Sequence, residues 1–338
     1  MNNTKQRRIN LYASRSIGET LSATFDFVTQ NFVPLIKFLS AFLLPVSALM
    51  GLSYQSMFSR LAHIHIVDIN DETEQILSVV MSYLPVLLLC LIGALLTVAV
   101  TYTLMQKYQQ RDNLLKGLTL SEIKPLLKHN LWRLLKMLLL LTLLGIVAFV
   151  ALVLLITMAQ MAVAVNLIES LIFLMYVAIL VVALPLGLAL PMCVFEPELS
   201  LFSCVKKALR LGFKTWGTLF VVMLVITMLV QIVSFILMIP FLFTTMTTMF
   251  FEIDSTQYAS LAYTSSAWFS VLTFASSLLF CFGLLLMSAL SFVAFAFCYG
   301  RAADKVEGVS VKNAVQNFDS TSSTEDTTAD IISQFDKE

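Results

Sequence analysis

The chain has 338 residues and a mass of 37.7 kDa; 59% of the residues are apolar, 12% are charged, and the mean hydropathy is +0.88. Soluble proteins run nearer half apolar and a quarter charged, so a lipid bilayer must solvate much of this chain. Twenty-one Lys and Arg balance 21 Asp and Glu, which excludes a generally basic nucleic-acid binder.

A charge at mid-bilayer costs about 3 kcal/mol, so membrane spans are sought in charge-free runs of about 18 residues or more. Six exist: 38–59, 75–106, 137–168, 170–195, 215–251 and 255–300. Residues 1–20 carry Lys5, Arg7, Arg8 and Arg15 with no apolar core behind them, unlike a signal peptide. Ser16-Ile17-Gly18-Glu19 then reads as a capping box, opening a helix with Leu21, Phe25, Val28 and Phe32 on one face. Asn31 and Phe32 close that helix at a joint, and a span over 33–53 follows. Lys37 lies about one turn into this span, where its stem can snorkel to the headgroups.

In the loop beyond, alternate residues His63 and His65 would share one face of a strand, and Asp68, Asp71, Glu72 and Glu74 follow. That is a weak divalent-metal pattern; Ile64, Ile66 and Ile69 favour a plain amphipathic segment, and no metal is expected. The second span covers 84–106. Thr119-Leu120-Ser121-Glu122 is a second capping box, followed by Ile123, Leu127 and Leu131 and a joint at Asn130 and Trp132. The third span is 134–158.

The fourth, 171–193, contains Pro185, Gly187 and Pro191. These mark a kinked packing helix, or alternatively a discontinuous helix of the kind that binds substrate in transporters. Glu196 follows directly and is expected to pair with Arg210 or Arg301, clamping a loop to the bundle; gating a path or binding a cation is the functional alternative. Ser200 caps a third amphipathic helix with Val205, Leu209 and Trp216 on its apolar face, closed at Thr215 and Trp216. The fifth span, 218–242, has one strongly polar mid-span residue, Gln231, expected to make an interhelical hydrogen bond. The start of the last run, 255–266, is too polar to cross, which places the sixth span at 268–298. Its stripe of Ser277, Cys281, Ser288, Ser291 and Cys298 reads as helix packing within the chain or as a seam for a second copy.

The fold class is therefore an all-α polytopic bundle of six spans, with short interfacial amphipathic helices before spans 1, 3 and 5. Residues 1–310 form one transmembrane domain, and 311–338 an acidic, Ser/Thr-rich tail expected to be disordered. Cap, apolar face and joint recur before each odd-numbered span, so the chain reads as three repeated units. One face of the membrane collects 20 of the 21 basic residues; Arg60 alone lies on the other, with seven acids. The positive-inside rule puts both termini in the cytoplasm. Basic residues of the interfacial helices (Lys124, Lys128, Arg133, Lys206, Lys207, Arg210, Lys214) should meet anionic headgroups there. The five cysteines lie in spans or on this side, without metal spacing, and no disulfide is expected.

The residues Pro191-Met192-Cys193-Val194-Phe195-Glu196, Cys204-Val205-Lys206-Lys207-Ala208-Leu209-Arg210-Leu211 and Lys214-Thr215-Trp216-Gly217-Thr218-Leu219-Phe220 resemble a bacterial signature. It is similar to that of uncharacterised six-span integral membrane families and of the membrane domain preceding some glycerophosphodiester phosphodiesterases. The resemblance covers about 30 residues and the six-span outline. About 38 residues follow the last span, too few for those enzymes' catalytic barrel, so no phosphodiesterase activity is expected. No Ser-His-Asp pattern, phosphate-binding Gly loop or His-Glu-x-x-His pair stands in the sequence. The expectation is a non-catalytic scaffold, assembly or regulatory component of the cytoplasmic membrane, without cofactor, meeting a protein partner or a second copy. A small transporter for a neutral or amphiphilic solute is the alternative, and a lipid head-group enzyme the third reading.

Overall fold

A computed structural model describes residues 8–66, 72–111, 115, 117–162, 177–179, 181–253, 266–312 and 315. Among the described residues the regular structure is all helical, and six helices are long and apolar enough to cross a membrane. The elements are α1 (Ile17–Gln30), α2 (Phe32–Ile66), α3 (Glu72–Gln110), α4 (Leu120–Ala162), α5 (Ala189–Phe195), α6 (Leu201–Lys214), α7 (Trp216–Ile253) and α8 (Ala267–Glu307). The candidate spans run Phe32–Phe58, Leu77–Gln110, Leu120–Leu154, Val177–Phe195, Trp216–Thr248 and Ala267–Glu307. Each of the six expected spans overlaps one of these, and most are longer, because helices continue past the apolar stretch that hydropathy detects. The start of the fourth expected span, the acids Asp68 and Asp71, and the tail from 316 lie outside the described residues.

The long helix α8 is the hub, packed against α7, α2, α3 and α1. Its small residues make this possible. Ser277 and Cys281 are buried, Gln55 donates to the Ser277 hydroxyl (3.3 Å), and a Cβ on Gly283 would meet Leu237 at 2.4 Å. The small-residue stripe thus serves packing within the chain. Helix α4 sits at the edge, and its residues 142–151 are exposed throughout, as a lipid-facing span requires. All five cysteines are free thiols.

The repeat is visible at the joints, with one difference. Ser16 accepts from the Glu19 amide and Glu19 from the Ser16 amide, so the first capping box forms as expected. Ser200 caps α6 through the Ser203 amide. At both joints the polar residue donates to the carbonyl four residues back, Asn31 to Phe27 (3.0 Å) and Thr215 to Leu211 (2.9 Å), and the helix breaks for one residue. The middle unit does not break: α4 runs through Asn130 and Trp132 without a joint. Asn130 instead donates across to Thr103 (3.0 Å) and Gln106 (2.9 Å) of α3, leaving its own helix's ladder undisturbed. The fourth span is interrupted by a turn at Leu188, whose amide bonds the Pro185 carbonyl (3.1 Å). The break is filled by protein: a Cβ on Gly187 would strike Phe295 at 2.5 Å and one on Gly212 would strike Pro185 at 2.5 Å. At the other end of the chain Gly308, at φ 64°, terminates α8, and helix resumes over 309–312, into the expected tail.

Candidate functional site

Polar side chains concentrate at one end of the bundle, the basic end, where α1, α6, the two joints and the linkers before α4 and α6 gather. Glu196, which ends α5, is the centre. Lys207 of α6 reaches both of its carboxylate oxygens (2.8 and 2.7 Å), and Tyr299 of α8 donates its hydroxyl (2.5 Å). Lys207 also pairs with Glu307 of α8 (2.9 Å), which pairs in turn with Arg210 (2.5 Å). A four-charge chain therefore ties α5, α6 and α8 together, with each member beyond Arg210 mostly shielded from solvent. Burial lowers the proton affinity of Lys207, but its hydrogen bonds and attraction to Glu196 and Glu307 outweigh this and hold its pKa above the usual lysine value.

Glu196 pairs with Lys207 and Tyr299 rather than with the expected Arg210 or Arg301. Arg210 binds Glu307, and Arg301 donates its Nε to the Arg15 carbonyl (2.5 Å). Residue spacing favours no one cation over another across a loop, and the crossing of α6 over α8 decides it. Lys207 and Arg133 are both engaged by protein groups. Arg133 donates to the Pro197 and Leu199 carbonyls, fastening the linker before α6, while Lys124, Lys128, Lys206 and Lys214 remain exposed.

The largest departure from expectation is the segment 8–16. It is an extended strap that enters the basic end and seals it. The Ile9 amide donates to the Tyr108 hydroxyl (3.0 Å), Gln109 donates to the Ile9 carbonyl (3.0 Å), and Tyr108 donates to Gln30 (3.3 Å). Leu11 is 2% exposed, and its carbonyl lies where a side chain on Gly300 would be, 2.2 Å from an ideal Cβ. Tyr12 packs edge-on against Tyr299 with hydroxyls 3.3 Å apart. Burial, the dominant effect, raises the Tyr12 pKa, and Glu196 adds to it. Arg15 stacks over Phe297 at 5.5 Å, and burial lowers its pKa. Nothing in hydropathy marks this strap, since its sequence is short and polar. The one signal is the small residues Gly300, Ala302 and Ala303 at the end of an apolar span, of which Gly300 leaves room for another backbone.

The remaining candidates are dispersed. Lys37 is exposed on α2 and Gln231 on α7, and among the described residues Gln231 does not make the expected interhelical hydrogen bond. Trp216 donates to the Val181 carbonyl (3.1 Å) and stacks on Phe220, while Trp132 is exposed. Phe32 is likewise exposed at the first joint. Pro191 is buried within α5. The backbone at His63 and His65 is helical, at the end of α2, rather than the expected strand. Among the described residues no three His, Cys, Asp or Glu gather as a metal site. Cys204 is a buried thiol whose pKa burial pushes up to about 11, which keeps it protonated and inert at neutral pH. Compared with known proteins, the chain matches no family model, no curated protein and no solved structure.

Proposed function

We propose that this protein is a non-catalytic component of the cytoplasmic membrane, an assembly or scaffold element with both termini and the basic end in the cytoplasm. The observation that carries this reading is Gln231. It stands at the middle of the span Trp216–Thr248, exposed, with Met228, Ile232 and Phe235 exposed around it. An amide in hydrocarbon seeks a hydrogen-bonding partner on another helix, worth about 0.6–2 kcal/mol; its own chain supplies none among the described residues. The polar groups of the basic end support the same reading, because the Glu196 clamp and the strap spend them on holding helices together.

Light scattering on the protein purified in mild detergent tests this. The assembly is expected to exceed the 37.7 kDa of one chain, and Gln231→Leu to reduce it to one chain. A wild-type protein that is already a single chain, with no co-purifying protein, overturns the reading. One observation favours the alternative of a small transporter. A cleft of about 280 Å³ between α2 and α3 bears the hydroxyls of Ser53, Ser56 and Ser82 beside Pro85. A small solute retained through purification, and lost in Ser53→Ala/Ser56→Ala, would decide for it.

A further inference from the structure

Two clefts at the basic end occupy equivalent places in the first and second units. The first, about 390 Å³, lies between the start of α2 and the linker into α4; Gln30, Asn31, Lys37, Leu115, Gly117 and Leu118 line it. The second, about 280 Å³, lies between α4 and the linker into α6, lined by Arg133, Lys136, Pro197, Leu199 and Ser200. In each, the lysine stands six residues past a buried asparagine, Asn31 to Lys37 and Asn130 to Lys136, about 9 Å along the helix. In each, the opposing wall is the linker that leads to the next unit's helix cap. The third unit departs from this pattern: Val221 stands six residues past Thr215, and Trp216 bonds the fourth span at Val181.

Among the described residues neither lysine has a carboxylate partner. Among the described residues Lys37 makes no ion pair or hydrogen bond, and Lys136 has only the face of Trp132, 5.4 Å from the ring centroid. Lys207, Arg210, Arg133 and Arg301 at this end are fastened to protein, whereas Lys124, Lys128, Lys206 and Lys214 are exposed outside the clefts. Beside each cleft the helix offers apolar surface: Phe32 is 56% and Val33 73% exposed in the first, Trp132 60% and Leu139 61% in the second. Lys37 lies about one turn into the first expected span and Lys136 at the start of the third, so each ammonium can snorkel to headgroup depth, where a lipid phosphate sits.

We propose that the two clefts are pseudo-equivalent binding sites for anionic phospholipids, Lys37 and Lys136 each meeting a lipid phosphate while the acyl chains lie along α2 and α4. The proposal rests on the reading that the basic end lies at a membrane surface. It predicts two sites, since the third unit has no lysine to receive a phosphate.

The test is native mass spectrometry of the full chain released from nanodiscs containing phosphatidylglycerol or phosphatidylcholine. Wild-type protein is expected to retain two phosphatidylglycerol molecules and no phosphatidylcholine. Lys37→Gln and Lys136→Gln each lose one, with affinity at that cleft falling about fivefold, the effect of one lysine near a charged surface; the double variant loses both. Lys206→Gln, an exposed cation outside the clefts, retains both. Millimolar inorganic phosphate leaves the lipids in place. Retention unchanged in the double variant, equal retention of phosphatidylcholine, or release by inorganic phosphate overturns the proposal, the last by showing a site for the free ion. An intact assembly mass alongside unchanged lipid retention would sink the clefts alone and leave the assembly reading standing.

Discussion

Gly300→Ala tests whether the strap is held by the fit of its backbone against α8. The new Cβ would lie 2.2 Å from the Leu11 carbonyl oxygen and 2.8 Å from its carbon. Both are backbone atoms, so no side-chain rotation relieves the contact, and the strap must move by about 1 Å to reach van der Waals distance. That movement withdraws Leu11 from a site where it is 2% exposed and loosens the Tyr12–Tyr299 and Arg301–Arg15 contacts. Losing the burial of one leucine alone is worth about 2 kcal/mol, about a 30-fold rise in the population with the strap open. Trypsin reads that population, because Arg15 is tied by its own guanidinium to the Asn10 and Leu11 carbonyls and is cleavable only when the strap leaves. Where opening and closing outpace cleavage, the cleavage rate follows the open fraction. Gly300→Ala should therefore be cut after Arg15 about 30-fold faster than wild type, measured by mass spectrometry of the released fragment. Gly18→Ala, where an added Cβ meets nothing within 4 Å, should be cut no faster. Leu11→Ala reaches the same open state from the strap's side and should show a similar acceleration. Cleavage of both Gly300→Ala and Leu11→Ala within twofold of wild type would mean that the strap is not seated by this fit.

Other outcomes follow from the clamp and the core. Glu196→Gln removes the charge that Lys207 holds at 2.7 Å and should cost about 1–3 kcal/mol, read as a lower thermal midpoint in detergent; an unchanged midpoint would show that Glu307 alone secures Lys207. The raised pKa of Lys207 means that its stabilisation is complete below the unfolded value of about 10.4 and is lost as pH rises through the folded value. The advantage of wild type over Lys207→Met should thus be constant from neutral pH to about pH 10 and shrink above it. Tyr102 carries a buried hydroxyl with no hydrogen-bond partner among the described residues, so Tyr102→Phe should leave the thermal midpoint unchanged or raise it by the equivalent of about 1 kcal/mol. A clear drop would reveal a partner for that hydroxyl.

The six spans, the capping box at Ser16, the helix cap at Ser200 and the joints at Asn31 and Thr215 were legible in the sequence, because each rests on local spacing: an apolar run, a cap three residues from its partner, a period of 3.6. The continuous middle helix was not, since Asn130 looks like Asn31 until its amide finds Thr103 and Gln106 on a neighbouring helix. Likewise Glu196 declared itself as a membrane-edge carboxylate, but the expected partner was Arg210 or Arg301, and only the packing of α6 against α8 brings Lys207 to it. Composition and periodicity by themselves determined that this protein lives in a bilayer and how its chain is divided, for those depend on transfer energies that each residue contributes independently. Which cation Glu196 holds, what seals the basic end, and which lysines line clefts were decided only by tertiary structure. Those outcomes depend on which helices cross, and no local pattern records that.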